Sequence, residues 1–151
     1  MGGDVVSHVR VAEHEGFDRV VFEFATLAKA GDPEADDAKA PLASAKPGSG
    51  VPQYAINVGG PGGISPGPRG GTRPVYGSAL VDVLFKGIAW TAGIRYPERN
   101  GPVLDLPLVK EVAHGELFEG HEGFGIGLGE KRCPSVAELT DPPRLVLDFP
   151  H

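Results

Sequence analysis

The sequence predicts an all-β fold: a β-sandwich of short, mostly antiparallel strands with long loops and at most one short helix. Three observations carry this expectation. Apolar and polar residues alternate with period two, as in Val20, Phe22 and Phe24 against Arg19, Val21 and Glu23, which is how a strand with one buried face is written. Glycine and proline, 23 and 15 of the 151 residues, break the chain at short intervals, as turns between strands require. No helical period persists beyond a few turns, so nothing supplies a helical layer.

Taken in order, the first clear strand is Arg19-Val20-Val21-Phe22-Glu23-Phe24, entered from Asp18. The stretch 28–50 is rich in Ala, Asp, Lys, Pro and Ser, with Gly31-Asp32-Pro33 and Lys46-Pro47-Gly48-Ser49-Gly50 as breakers, and reads as a long surface excursion. Residues 35–40 suit one helical turn but carry too few large apolar side chains to dock it. A strand resumes over 51–58, where Tyr54, Ile56 and Val58 alternate with Ala55 and Asn57. A second excursion, 59–72, is glycine-rich. Residues 79–85 form a good strand, and Ile88-Ala89-Trp90 follows before Gly93. Asn100-Gly101-Pro102 marks a turn. A short strand is expected over 109–113. Over 123–129 glycine alternates strictly with Phe124, Ile126 and Leu128, giving one apolar face and one without side chains. Residues 133–139, with Pro134 and Ser135 at the start, read as the short helix. The chain closes on Arg144-Leu145-Val146-Leu147-Asp148-Phe149, which repeats in chemical type the strand at 19–24.

Composition narrows the function. A chain of this length suits one domain, here 4–151, that buries roughly 70% of its unfolded surface. The formal net charge is -6 with the charges dispersed, so the footprint that nucleic acid requires is missing. No run of apolar residues is long enough to span a membrane. The single Cys133 allows no internal disulfide and sits in no activating motif, so it reads as a small hydrophobe.

Three stretches resemble the AMIN-like domain family of secreted and lipid-anchored cell-envelope proteins, itself similar to the AMIN modules of bacterial amidases and secretins. The first runs from Val9-Arg10-Val11 through His14-Glu15-Gly16-Phe17-Asp18 to Phe24, and looks like that family's opening strand pair. The second runs from Phe118-Glu119-Gly120 through Phe124 to Leu128. The third and most specific is Leu139-Thr140-Asp141-Pro142-Pro143 followed by the closing strand. Between 25 and 71 the chain departs from the family's shorter pattern. The resemblance implies an extracytoplasmic location, with a signal peptide upstream of this sequence in the natural precursor, with or without a lipid-attachment cysteine.

The repeated strands offer the first candidate site. Paired antiparallel and in register, they set Arg19 opposite Asp148 and Arg144 opposite Glu23, a structural arrangement worth about 0.2–1 kcal/mol per pair. The alternative, implied by AMIN modules, puts the copies in separate sheets related by pseudo-twofold symmetry, each exposing an arginine to a polar envelope polymer. Peptidoglycan offers carboxylates and hydroxyls that a planar guanidinium bridges in pairs. Arg19 and Arg144 are then the ligand contacts, with Glu23 and Asp148 orienting them. Gly125 and Gly127 either admit a sugar ring or make room for a neighbouring element. Among Tyr76, Phe85, Trp90 and Tyr96, Trp90 is expected in the core and Tyr96, beside Pro97, as an exposed stacking residue.

Other chemistries lack their motifs. Histidines 8, 14, 114, 121 and 151 fit no zinc spacing, although His114, Glu116 and His121 are the cluster to inspect. No phosphate-binding loop or nucleophile elbow is present, and no metal, cofactor or catalytic residue is expected. The expected function is a non-catalytic cell-envelope module that binds peptidoglycan or an associated glycan and positions an attached or partner protein. The alternatives are a protein-interaction module working by strand addition and, less favoured, a cell-wall hydrolase using the 114–122 region.

Overall fold

The computed structural model describes residues 4–27, 45–47, 50–64, 73–87, 104–118, 121–140 and 142–151. Strands β1 (Asp4–His14) and β2 (Phe17–Leu27) pair antiparallel across the turn Glu15-Gly16. Gly16 stands at φ 87°, a left-handed setting that glycine adopts without a Cβ penalty. The short strand β3 (Ala45–Pro47) pairs with the far end of β2. Next come β4 (Tyr54–Gly59), the ribbon of β5 (Gly63–Ile64) with β6 (Arg73–Pro74), and β7 (Ala79–Lys86). The chain continues through β8 (Val109–Phe118), β9 (His121–Leu128), β10 (Ser135–Leu139) and β11 (Arg144–Pro150).

Apart from the β5-β6 ribbon, these strands make two antiparallel sheets. The first has the order β1-β2-β11-β10, with β3 beside β2; the second has the order β4-β7-β9-β8. Alternate residues of both sheets meet in one buried cluster: Val20, Phe22 and Phe24 of β2, Leu145, Leu147 and Phe149 of β11, Val81, Val83 and Phe85 of β7, and Phe124, Ile126 and Leu128 of β9. Phe22 bridges the layers, with its ring 5.1 Å from that of Phe85 and 5.0 Å from that of Phe124. Such pairs add about 0.5–1.5 kcal/mol each beyond area burial. The all-β sandwich expected from period-two alternation is the observed fold.

The two matched strands are direct neighbours. β11 lies antiparallel to β2 with Arg144 opposite Glu23, Leu145 opposite Phe22 and Asp148 opposite Arg19. This is the in-register alternative, and it overturns the placement of the two copies in separate sheets. Identical alternation on both strands explains the choice, because this register puts every large apolar side chain on the inner face at once.

Both sheets are shaped by bulges on edge strands. In β1 the register shifts between Val6 and His8, so Val6 and Val9, three residues apart, both reach the core. In β8 a shift between Val109 and Glu111 does the same for Val109 and Val112. Regular pleating would send one of each pair outward.

One expectation fails within the described residues. Residues 133–139 do not form a helix; β10 occupies 135–139 and pairs with β11 from Ser135 opposite Asp148 to Leu139 opposite Arg144. A helix this short gains little from its own hydrogen bonds, whereas the open edge of β11 offers a complete ladder. The helical turn expected at 35–40, Trp90, Tyr96 and most of both excursions lie outside the described residues.

Candidate functional site

The outer face of the first sheet carries the repeated charges. Alternation sends Phe17, Arg19, Val21 and Glu23 of β2 outward, and the antiparallel register places Asp148, Val146 and Arg144 of β11 beside the last three. His14, Ala12, Arg10 and His8 of β1 complete the rows on the other side. The result is a band of charge on either side of a central strip formed by Val21 and Val146.

Arg19 is the best-held group on this face. Its Nε donates to Asp148 Oδ1 at 2.8 Å and its Nη2 to Oδ2 at 3.0 Å, a two-pronged pairing that fixes the guanidinium plane. The hydrogen-bonded carboxylate raises the Arg19 pKa above its ordinary value, against a smaller opposing effect of burial. The guanidinium carbon also sits 5.3 Å from the centre of the Phe17 ring. His14 stacks on that ring with centroids 5.0 Å apart and planes inclined by 12°. His14, Phe17, Arg19 and Asp148 thus form a continuous chain of contacts beside the Glu15-Gly16 turn.

The second charged row is arranged differently. Glu23 Oε1 accepts from Arg10 Nη2 at 2.8 Å, and His8 Nδ1 lies 3.7 Å from Glu23 Oε2. Arg144 donates from Nε to the Pro142 carbonyl at 3.1 Å and from Nη2 to the Thr140 carbonyl at 3.4 Å. Arg144 therefore braces the turn between β10 and β11, while Arg10, absent from the sequence-based candidates, is the arginine that engages Glu23.

The glycine-bearing face of β9 points away from the core, and this chain itself covers part of it. A Cβ on Gly127 would collide with the Tyr76 carbonyl, and Gly125 is buried. Val75, Leu80 and Ala113 form a small apolar cluster on that side, and the Tyr76 backbone N–H donates to Glu111 Oε1 at 3.0 Å. The side-chain-free strip at Gly127 accommodates the 75–76 segment. Tyr76 itself is 65% exposed.

Two buried carboxylates escaped the sequence-based candidates. Asp18 Oδ2 accepts the backbone N–H groups of Leu108 and Val109 at 2.8 and 2.9 Å, and Oδ1 lies 2.8 Å from His151 Nε2. Burial alone would raise its pKa, but the His151 ring and the two amides outweigh that and hold it below the usual carboxylate value. Asp18 thereby ties β2 to the start of β8 across the sandwich. Glu122, also fully buried, lies 2.7 Å from His114 Nε2, beside the Phe124 ring. A signal for Glu122 exists in the sequence, since it continues the inward parity of Phe124, Ile126 and Leu128. Among the described residues, no group of three or more His, Cys, Asp or Glu is placed to hold a metal ion.

At the other edge of the sandwich, β4 and β10 approach one another. The Tyr54 hydroxyl donates to Glu138 Oε2 at 2.9 Å, linking the two sheets. Burial, and then the Glu138 carboxylate, push the Tyr54 phenol above its ordinary pKa.

Comparison with known proteins adds one positive finding. A family model described as the AMIN-like domain matches residues 48–151. No curated protein and no solved structure matches the chain.

Proposed function

The chain belongs to the AMIN-like domain family, and from that membership we propose that it is a non-catalytic cell-envelope module that binds peptidoglycan or an associated glycan. Family membership supports the envelope part of this reading. The observation that carries the ligand part is the strip formed by His14, Phe17, Arg19 and Asp148. The exposed His14 ring at the end of this stack offers a flat surface on which a sugar ring rests, and the locked guanidinium and carboxylate offer donors and acceptors to its hydroxyls. Little rotamer freedom is lost on binding because the strip is already ordered. Glu23 and Arg144 extend the polar surface along the same face. In this reading the module is extracytoplasmic and positions an attached or partner protein on the wall.

Co-sedimentation with isolated sacculi tests it. Wild-type protein is expected to pellet with sacculi, while Phe17→Ala and Arg19→Ala are expected to remain largely in the supernatant. Failure of the wild type to pellet removes the proposal.

A second reading is recruitment of a protein by strand addition. It is favoured by β10, an edge strand whose five residues are all exposed, including Val136 and Leu139 at 43% and 40%. Cross-linking from residue 136 in the native envelope would then recover one protein in preference to glycan.

A further inference from the structure

The groove between β4 and β10 takes no part in the face described above. It has a volume of about 550 Å³ and is lined by Val51, Pro52, Gln53, Tyr54, Lys86 and Glu138. The space is wide open to solvent and mainly polar, so it suits a ligand laid along the surface rather than an enclosed apolar one. Its frame is fixed at two points: Tyr54 is bonded to Glu138 across the two sheets, and the Lys86 backbone N–H donates to the Gln53 carbonyl at 2.9 Å.

The charges in this groove are unusual in their arrangement. Lys86 and Glu138 line the same space from different sheets, yet no ion pair joins them, and neither pairs with any other charged group among the described residues. A simple anion attracted to Lys86 would be repelled by Glu138 and by the net charge of -6. A simple cation would meet the reverse at Lys86. A ligand with one charge of each sign satisfies both walls. Val51, Pro52, Gln53 and Tyr54 line the rest of the groove, whose surface is mainly polar. The unpaired edge of β10 also runs along this side, so backbone N–H and C=O groups stand ready for an extended chain.

We infer that this groove binds a short peptide bearing a free amine and a free carboxylate, its carboxylate at Lys86, its amine at Glu138 and its backbone along the edge of β10. This inference stands apart from the glycan reading, which concerns the opposite face of the first sheet.

The test is a titration of the ¹⁵N-labelled protein with trialanine carrying both free termini, followed by amide shifts. Saturable shifts are expected at Gln53, Lys86 and the amides of β10. Amidating the peptide's carboxylate should weaken binding about five-fold, the worth of one exposed ion pair, in the wild type and not in Lys86→Gln. Acetylating its amine should do the same in the wild type and not in Glu138→Gln. Both substitutions are at exposed positions, so folding is retained. Absence of saturable shifts overturns the inference. So do shifts centred on Arg19, or equal penalties for the capped peptides in wild type and variants. Sacculus binding by the same protein sample reports separately on the glycan face.

Discussion

Arg19 and Asp148 stand 129 positions apart in the chain and meet through two hydrogen bonds of 2.8 and 3.0 Å. Their side chains are 38% and 27% exposed, so solvent and salt screen the charge and the pair's worth lies in alignment rather than in Coulomb energy. A double-mutant cycle of Arg19→Ala and Asp148→Ala, read by urea unfolding, is expected to give a coupling of about 0.2–1 kcal/mol that shrinks in molar salt. A coupling of several kcal/mol would mean that the pair is chiefly a stability device.

Asp18 sets an acid limit on the fold. Its folded pKa lies below that of an ordinary aspartate, so the unfolded chain binds more protons in that range and stability rises with pH there. The contribution is fully present above the unfolded value and is lost as pH falls through the depressed one. Asp18→Asn is expected to cost about 1–3 kcal/mol at pH 7 and to flatten stability against pH in the acid range. Urea midpoints between pH 2 and 7, about the reference carboxylate range, check both.

Of the three glycines of β9, Gly127 and Gly123 should respond oppositely. Gly127→Ala drives a Cβ into the Tyr76 carbonyl, and overpacking of this kind costs about 1–3 kcal/mol or more. Gly123→Ala places its Cβ 3.8 Å from Leu84 Cδ1, an ordinary contact, and is expected to be neutral or slightly stabilising through reduced backbone freedom. Thermal unfolding of the two variants side by side decides the matter.

Deleting Ser7 removes the extra residue of the β1 bulge. Val6 and Val9 would then stand two apart, so regular pleating keeps both on the inner face and the deletion is expected to retain the about 1.5–3 kcal/mol of burial that an outward-turned valine would lose. Ser7→Ala, which keeps the chain length, is expected to leave stability within about 0.5 kcal/mol of wild type. Urea unfolding of both variants separates register from side-chain chemistry.

Where one face of a strand is buried, its sequence announces it. Val20, Phe22 and Phe24 predict β2, Leu145, Leu147 and Phe149 predict β11, and the match between them yields the observed register. β10 is invisible to that argument because all five of its residues are exposed and no inner face is written into it. The bulges of β1 and β8 are likewise hidden, since Val6 and Val9, or Val109 and Val112, fit no single period until a partner strand is supplied. At the candidate site, Arg19 and Asp148 follow from pairing the repeats. Phe17 is accessible through its spacing of two from Arg19, but its stack with His14 depends on the tight turn between them. The Tyr76 carbonyl over Gly127 is non-local, brought there by a segment 51 positions distant.

The adjacency of β2 and β11 also bears on how the chain reaches its native state. The ladder at the middle of one layer forms only after an intervening segment of well over 100 residues has been looped back, a closure whose entropy cost precedes any reward from contact. The hairpins β1-β2 and β10-β11 can assemble locally and early, leaving their docking as the slow, committing event. Until then each would display an unsatisfied β edge, and this is the interval in which the protein is most exposed to pairing with the wrong strand.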